Sequence, residues 1–197
     1  MEMDAVLIAT KNNEKFETIS SLIERVFPER FKYENVNDSG IDLDIIETGS
    51  VIERAQLKAI KYWEYLNKIN QNKYFISIGI DDGFSLTKDG DGDPDSKKIT
   101  DEILSGKLLQ KRQAIWLKRG IVICNDKVQE AIITSIPFIF IGNPNNIKRV
   151  EGIYSLRNVL APINQNIVQA QIKFNKLIEY YLFYCSDDIK YLFHKIL

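Results

Sequence analysis

Apolar and polar positions in the first part of the chain predict strands that alternate with a helix. Ala5 to Ala9 is a short apolar run typical of a buried central strand. After a polar turn, apolar residues recur at helical spacing and predict a helix from about Glu14 to Phe27, ending before Pro28. Phe31 to Val36 and Ile41 to Ile46 are predicted to be further strands, the second because its apolar residues alternate.

A second helix and a buried strand follow. Ser50, with Glu53 three residues later, matches a capping box and starts a predicted helix through the segment ETGSVIERAQLKAIKYWEYL. Tyr74 to Ile80 is rich in β-branched and aromatic residues, which predicts a buried strand. This strand delivers Asp81 and Asp82 at its C-terminal end, ahead of a loop rich in Asp and Gly. The two adjacent carboxylates are the first candidates for chemistry.

The second half predicts one more helix, a pair of strands and two terminal helices. The segment ITDEILSGKLLQKRQAIWL is predicted to be helical, with Thr100 as its cap. Arg119 to Cys124 and Val128 to Ile141 are predicted strands of a second sheet layer. Ile167 to Tyr184 and Asp187 to Ile196 are predicted to be two separate helices. No element is assigned between the last strand and the first of these helices.

The order of elements and the length of the chain predict one α/β domain. Strands that alternate with helices first and pair with each other later favour a mixed central sheet flanked by helices. At 197 residues, one sizeable core accommodates the chain, whereas two unrelated domains would be cramped. We therefore predict a single domain over residues 1–197, with two lobes and a cleft between them.

Composition and charge narrow the classes of partner. The chain is 45% hydrophobic and 27% charged, as in soluble globular proteins, and its net charge of −1 provides no overall attraction to nucleic acid or to an anionic membrane. No stretch approaches the ~20 apolar residues of a membrane span, and the first apolar run is too short for a signal peptide. Cys124 and Cys185 are better explained as free thiols than as a disulfide framework, so a cytoplasmic location is expected.

Histidine is nearly absent from the sequence. The only one, His194, lies three residues from the end of the chain. Zinc sites built on histidine, Ser-His-Asp triads and Cys-His dyads are therefore disfavoured. The chemistry has to rely on carboxylates, lysines and hydroxyls.

The turn after the first strand is a candidate anion site. Thr10, Lys11, Asn12 and Asn13 connect the strand to a helix N-terminus, where backbone N–H groups and the helix dipole favour negative charge. Lys15 adds a point charge suited to a phosphate. The glycines of a Walker loop are missing, so this is not a P-loop. The alternative is a solvated turn followed by an exposed helix lysine.

Two short patterns in the first half match known motifs. Thr10, Asn12 and Lys15 match T-x-N-x-x-K directly after a strand. Glu53 to Ala59, with the sequence ERAQLKA, is similar to E-N-A-x-x-K-A, with Arg54 in place of the asparagine.

A third pattern completes the series. Ile80 to Phe84, with the sequence IDDGF, is similar to a strand that ends in A-D-D-S-G-L and leads into a loop rich in Gly and Pro, although the serine is lost. In this order, the three segments resemble the inosine triphosphate pyrophosphatase family, the non-canonical purine nucleoside triphosphate pyrophosphatases. The resemblance covers roughly the first half of the chain.

The second half departs from the family. Its G-F-G-Y-D-P stretch is at best echoed by Gly152 to Leu156, and its S-H-R triplet is absent, with Ala170 to Ile172 in the corresponding place. That region helps to hold the purine base in the family, so the base stays open: inosine and xanthosine triphosphates, a pyrimidine nucleotide or a broad set.

The resemblance implies hydrolysis of a nucleoside triphosphate to the monophosphate and pyrophosphate, in nucleotide-pool cleansing, with Mg²⁺, or Mn²⁺ as the alternative, as cofactor. It also implies a homodimer. By the resemblance, Asp82 is the base that orients the attacking water, and the metal ligands are Glu53, Asp81 and Asp82. Lys15 and Lys58 neutralise the triphosphate, and Lys15 also acts in catalysis. Thr10 and Asn12 bind the substrate by hydrogen bonds. On this view, Asp82→Asn abolishes activity and leaves the fold intact.

Two other functions remain as alternatives. One is a non-catalytic nucleotide-binding or sensor protein of the same fold, motivated by Arg54, by Thr18 at an acidic family position and by the missing S-H-R triplet. The other is a calcium module, because four acids follow EF-hand spacing: Asp91, Asp93, Asp95 and Glu102. Ser96 replaces the required glycine and no entering helix precedes the loop, so the Asp89–Asp95 segment is better explained as a solvated loop.

Overall fold

A six-stranded mixed sheet forms the centre of the computed structural model, which describes residues 3–69, 73–90, 96–107, 114–141, 148–150 and 153–197. The strands are β1 (Asp4–Ala9), β2 (Phe31–Asn35), β3 (Tyr74–Ser85), β4 (Ala114–Cys124), β5 (Gln129–Phe140) and, after the pair β6 (Lys148–Val150) and β7 (Ile153–Ser155), β8 (Leu160–Pro162). The α-helices are α1 (Asn13–Val26), α2 (Val51–Lys68), α3 (Ser96–Leu104) and α4 (Phe174–His194).

The sheet has the order β2-β1-β3-β4-β5-β8. β1 runs parallel to both of its neighbours, β2 and β3, whereas β3, β4, β5 and β8 pair with one another as an antiparallel series. β6 and β7 form a separate antiparallel pair. The predicted α/β class with a mixed central sheet is therefore confirmed. The single two-lobed domain stays a prediction.

Helices cover both faces of the sheet. α1 and α4 contact each other on one face, where side chains such as Leu22 and Ile178 join alternate residues of β3 in the largest core cluster. α2 lies on the other face, against β3 and β4. Because side chains alternate between the two faces of a strand, each strand of this buried sheet contributes to both layers.

Small residues bring α2 unusually close to β3. On the face toward α1 and α4, β3 presents isoleucines, but toward α2 it presents Ser77 and Gly79. Opposite them, α2 presents Ala55 and Ala59, both fully buried. A Cβ atom added at Gly79 would lie only 1.9 Å from the carbonyl oxygen of Ala55. This close contact places the first turns of α2 beside the residues that follow Gly79 in the strand.

Two predicted strands differ from the structure. Ile41 to Ile46 has no regular secondary structure, although Ile41 is buried and Leu43 and Ile45 pack against buried residues around Tyr62. Alternating burial arises here from a segment lying along the protein surface without strand pairing. The strand predicted to end at Ile80 continues to Ser85, because β4 pairs with it over that whole length.

The second half also differs at three places. Ala114 to Leu117, predicted at the end of a helix, belongs to β4. β4 and β5 extend the central sheet instead of forming a second sheet layer. The two predicted terminal helices are one continuous helix, α4, because an apolar stripe that includes Leu177, Tyr181 and Cys185 continues on the same face to its end.

Other predictions agree closely. β1, α1 and β2 match the predicted elements within a few residues, and Ser50 and Glu53 form the predicted capping box at the start of α2. The two cysteines are free and buried, as expected. Within the described ranges, none of the helices combines the length and the apolar character that crossing a membrane requires.

Candidate active site

A polar cavity of about 360 Å³ opens where β1 ends and α1 begins. Its walls come from the β1–α1 turn, from residues 43–47, from α2 and from β3. Five of the residues singled out in the sequence line it: Thr10, Asn12, Lys15, Lys58 and Asp81. Lys15 and Asp81, which are 66 positions apart, meet here because β1 and β3 are parallel neighbours in the sheet.

The β1–α1 turn is held by its own side chains. The Oγ1 atom of Thr10 accepts a hydrogen bond from the backbone N–H of Asn12, at 3.2 Å. Asn12 is the N-cap of α1, and its side-chain oxygen accepts from the backbone N–H of Lys15 at 3.0 Å. Both side chains use an oxygen as acceptor, so the Thr10 hydroxyl and the Asn12 amide retain donors for a ligand.

Asp81 is surrounded by three cationic side chains. Its Oδ1 atom lies 2.6 Å from Lys15 Nζ and 3.7 Å from Lys58 Nζ, and its Oδ2 atom accepts a hydrogen bond from Arg54 Nε. Its side chain is only 7% exposed. Burial raises the pKa of this carboxyl, but the charges of Lys15 and Lys58 and the hydrogen bonds from Lys15 and Arg54 outweigh it, so the pKa lies below its ordinary value.

Asp82 faces the opposite side of the sheet. Its two carboxylate oxygens accept from Nε and Nη2 of Arg119, at 2.8 and 3.1 Å, and the guanidinium lies 4.8 Å from the ring centre of Tyr181 in α4. Burial raises the pKa of Asp82, but the charges of Arg119 and Lys15 and the hydrogen bond from Arg119 together outweigh it, so the pKa is lowered. Asp82 is therefore half of a bidentate ion pair between β3 and β4, and it is not among the described residues that line the cavity.

The Glu53 carboxylate is hydrogen-bonded to Ser50 at the start of α2. Its Oε2 atom accepts from the backbone N–H of Ser50 at 2.7 Å and from the Ser50 hydroxyl at 2.8 Å. These two hydrogen bonds hold the pKa of the Glu53 carboxyl below its ordinary value. The side chain is exposed and lies outside the set of described residues around the cavity. The structure thus does not bring Glu53 and Asp82 to Asp81 on one surface.

The carboxylates do not fit a protein-held Mg²⁺ ion as they are arranged. Mg²⁺ takes oxygen ligands in near-octahedral geometry. Both oxygens of Asp81 and both oxygens of Asp82 are already paired with cationic side chains. Across the described ranges, moreover, no group of three or more His, Cys, Asp or Glu residues is suited to hold a metal. We therefore assign no step to a metal held by these residues.

The cavity also contains charged residues that the sequence motifs did not indicate. Asp44 and Glu47 line it, and Glu47 Oε2 lies 2.7 Å from Lys58 Nζ. Lys11 of the predicted anion turn lines it as well. The signal for Asp44 and Glu47 is the acidic run IDLDIIE between Gly40 and Gly49, of which Ile41 to Ile46 is predicted from the sequence to be a strand. Arg119 was missed as well, because its link to Asp82 comes from strand register.

Three earlier candidates add nothing to this cavity among the described residues. Asp91, Asp93 and Asp95 of the calcium alternative fall outside the described residues, as does Gly152 of the echoed family stretch. Asp89 is exposed, in agreement with a solvated loop at that point. Ala170 and Gln171, in the place of the missing triplet, belong to a short 3₁₀ helix before α4.

Acidic conditions are expected to weaken the fold through Asp81 and Asp82. Both have a lowered pKa in the folded chain, so their stabilisation is present above the unfolded value of about 4 and is lost as the pH falls through the lower folded value. Urea unfolding at pH values from neutral down to about 2 measures this loss. An Asp82→Leu/Arg119→Met variant lacks one of the two carboxylates, so its stability should depend less steeply on pH below about 4. An equal slope in the variant would contradict a contribution from Asp82.

Comparisons with known proteins concern the fold. A scan against protein-family models and a search of curated proteins find no match. Among solved structures, a HAM1 protein from Coxiella burnetii aligns with a TM-score of 0.64 and 12% identity, covering 98% of this chain and 100% of that chain. A nucleoside-triphosphatase, described as a dITP/XTP pyrophosphatase, from Mycobacterium abscessus aligns with a TM-score of 0.51 and 12% identity, covering 98% of each chain. The resemblance found in the sequence motifs is therefore confirmed at the level of the fold, over nearly the whole chain.

Proposed function

We propose that the protein binds a nucleoside triphosphate in the cavity and hydrolyses it to the nucleoside monophosphate and pyrophosphate. The observation that carries the proposal is the meeting of Lys15 and Lys58 at Asp81, beside the N-terminus of α1. Lysines and a helix N-terminus are a combination that favours phosphate groups. The fold shared with a nucleoside-triphosphatase supports the same choice.

The residues of the cavity suit phosphoryl transfer, which depends mainly on positioning and on neutralising charge. Lys15 and Lys58 neutralise phosphate oxygens, and the Thr10 hydroxyl and Asn12 amide donate hydrogen bonds to them. A water oxygen adds to the α-phosphorus, and the bond between the α-phosphorus and the oxygen that bridges it to the β-phosphate breaks. Pyrophosphate leaves with that oxygen, and the water gives up a proton to solvent.

The two aspartates differ in what they offer to the reaction. The resemblance assigns the base to Asp82, but Asp81 is the one of the pair whose carboxylate borders the cavity. We therefore assign the orientation of water to Asp81, with Arg119 keeping Asp82 on the other face of the sheet. The implied requirement for Mg²⁺ or Mn²⁺ and the implied homodimer stay predictions, which metal-dependent assays and light scattering test.

A second candidate is nucleotide binding without turnover. It is favoured by Arg54, which occupies Asp81 Oδ2, and by the cations that lower the pKa of Asp81 and so weaken it as a base. In this second case the protein binds the triphosphate through its lysines but releases no pyrophosphate.

A pyrophosphate-release panel separates the two candidates. Inosine, xanthosine, canonical purine and pyrimidine triphosphates are supplied with Mg²⁺, with Mn²⁺ and with EDTA, while calorimetry measures binding of each. We expect release from at least one triphosphate, and a fall in kcat/KM of about 10²-fold or more in Lys15→Met, because an interaction with developing phosphate charge is lost.

The matched control is Lys61→Met, which removes a lysine of α2 whose side chain is 51% exposed and pairs with Glu64 instead of Asp81. The control should retain wild-type activity. Binding without release from any triphosphate selects the second candidate, and neither binding nor release would exclude both.

A further inference from the structure

The segment of residues 41–48, here named the acidic strap, places carboxylates on the cations of the cavity. Glu47 Oε2 lies 2.7 Å from Lys58 Nζ and 4.0 Å from Arg54 Nε. Asp42 Oδ1 lies 2.7 Å from Lys11 Nζ. Asp44 lines the same cavity. The carboxylates of the acidic strap therefore pair with lysines that a phosphate ligand also needs.

The acidic strap changes the net charge around the cavity. Among the described residues that line or border the cavity, the cations are Lys11, Lys15, Arg54 and Lys58, and β3 contributes one carboxylate, Asp81. The three carboxylates of the acidic strap offset the remaining positive charge. With the strap in place a polyphosphate meets little net attraction, whereas without it the cavity is strongly cationic.

The acidic strap is anchored by Ile41, Leu43 and Ile45, which pack around Tyr62, and Glu47 lies beyond these anchors near its end. The strap has no regular secondary structure, and it lies between Gly40 and Gly49, whose φ values of 70° and 91° are in the left-handed region that favours glycine. Ile46 within it is 81% exposed. Asp81, by contrast, is fixed in β3, where it pairs with Gly120 of β4. A ligand that competes for Lys58 therefore displaces Glu47 more readily than Asp81.

We infer that the acidic strap is an internal competitor of the ligand: its carboxylates, Glu47 above all, pair with the cations that a polyphosphate needs and leave them when a polyphosphate binds. The inference rests on the proposed function for the nature of the ligand and adds the residue that competes with it. Glu47 then lowers the affinity of the resting protein for every phosphate chain, and binding is coupled to release of residues 41–48 from Lys58 and Lys11.

Inorganic tripolyphosphate is the probe, because it carries the phosphate chain without a base. Calorimetry in metal-free buffer compares the wild type with Glu47→Gln, which keeps the size of the side chain and removes its charge. We expect tripolyphosphate to bind about three- to tenfold more tightly to Glu47→Gln, since the partly buried ion pair between Glu47 and Lys58 no longer has to be broken. The matched control is Glu64→Gln, which removes a negative charge of α2 that pairs with Lys61 at 2.9 Å; its affinity should stay at the wild-type value.

A fluorescence measurement tests whether the strap moves on binding, because a change in charge alone alters the affinity without moving the segment. Ile46→Cys accepts an environment-sensitive fluorophore at an exposed position, while the native cysteines are buried. Its emission should change on titration with tripolyphosphate, with the same midpoint as in calorimetry. Unchanged or weaker binding to Glu47→Gln, silent emission during binding, or no binding to any variant would overturn the inference. A panel without pyrophosphate release but with tighter binding to Glu47→Gln would instead reject only the hydrolysis.

Discussion

Replacing Arg119 with methionine is expected to lower the free energy of unfolding by about 3–5 kcal/mol, because it leaves a carboxylate in the protein interior without its partner. Arg119 is 4% exposed in its side chain and binds both oxygens of Asp82, whose side chain is 17% exposed. The methionine roughly keeps the volume beside Tyr181 but no donor remains for Asp82. Urea unfolding followed by circular dichroism measures the difference.

The double variant Asp82→Leu/Arg119→Met is the control for this prediction. Removing both charges leaves no unpaired ion, and replacing a buried pair with apolar residues is often neutral, so the double variant should recover most of the lost stability. Additive losses from the two substitutions would contradict the ion pair. The pair also changes what is expected of Asp82→Asn. The resemblance implies an intact fold, whereas the structure predicts a weaker one, because the amide oxygen still accepts from Arg119 but carries no charge to offset the buried guanidinium.

Alanine at Gly79 is expected to destabilise the chain by at least about 3 kcal/mol, near or beyond the upper end of ordinary overpacking costs. The added Cβ would lie 1.9 Å from the Ala55 carbonyl oxygen and 2.6 Å from the Ala59 backbone nitrogen. These are backbone atoms of α2, so a side-chain rotation cannot relieve the contact and the helix has to move. Because Lys58 lies on the same helix, surviving Gly79→Ala protein should also bind phosphate poorly.

Gly120→Ala is the comparison for Gly79. Its Cβ would meet the Cγ1 atom and the carbonyl oxygen of Val51, each at 3.1 Å, so a shift of a few tenths of an ångström accommodates it. We expect a clearly smaller loss of unfolding free energy than for Gly79→Ala, measured in the same urea series. Equal stability of Gly79→Ala and the wild type would show that α2 does not approach β3 this closely.

Local patterns in the sequence predicted most of the fold around the site, and strand pairing accounts for the main differences. The helical spacing before Pro28 and the Ser50–Glu53 box are local signals, and both were confirmed. The extension of β3 beyond Ile80 depends on β4, which is distant in sequence. A turn at this point would have left Asp81 and Asp82 free to share one site, but a strand sends neighbouring side chains to opposite faces.

The same reasoning explains which site residues the sequence revealed. Thr10, Asn12 and Lys15 lie within one turn of a helix start, so their proximity is local and was predictable. Glu47 came to Lys58 through an irregular segment, and Arg119 came to Asp82 through the register of an antiparallel pair. Neither contact has a periodic signal, because each depends on where two distant segments meet.

The parallel pairing of β1 with β3 has a consequence for how the chain folds. Lys15 and Asp81 are 66 positions apart, and β2, the acidic strap and α2 all lie between the strands that bring them together. Contacts of such long range form slowly, because closing the intervening loop costs entropy before the pairing repays it. A partly folded chain in which β1 has not yet reached β3 lacks the Lys15–Asp81 pair, so a phosphate ligand stabilises the completed sheet and not its precursors.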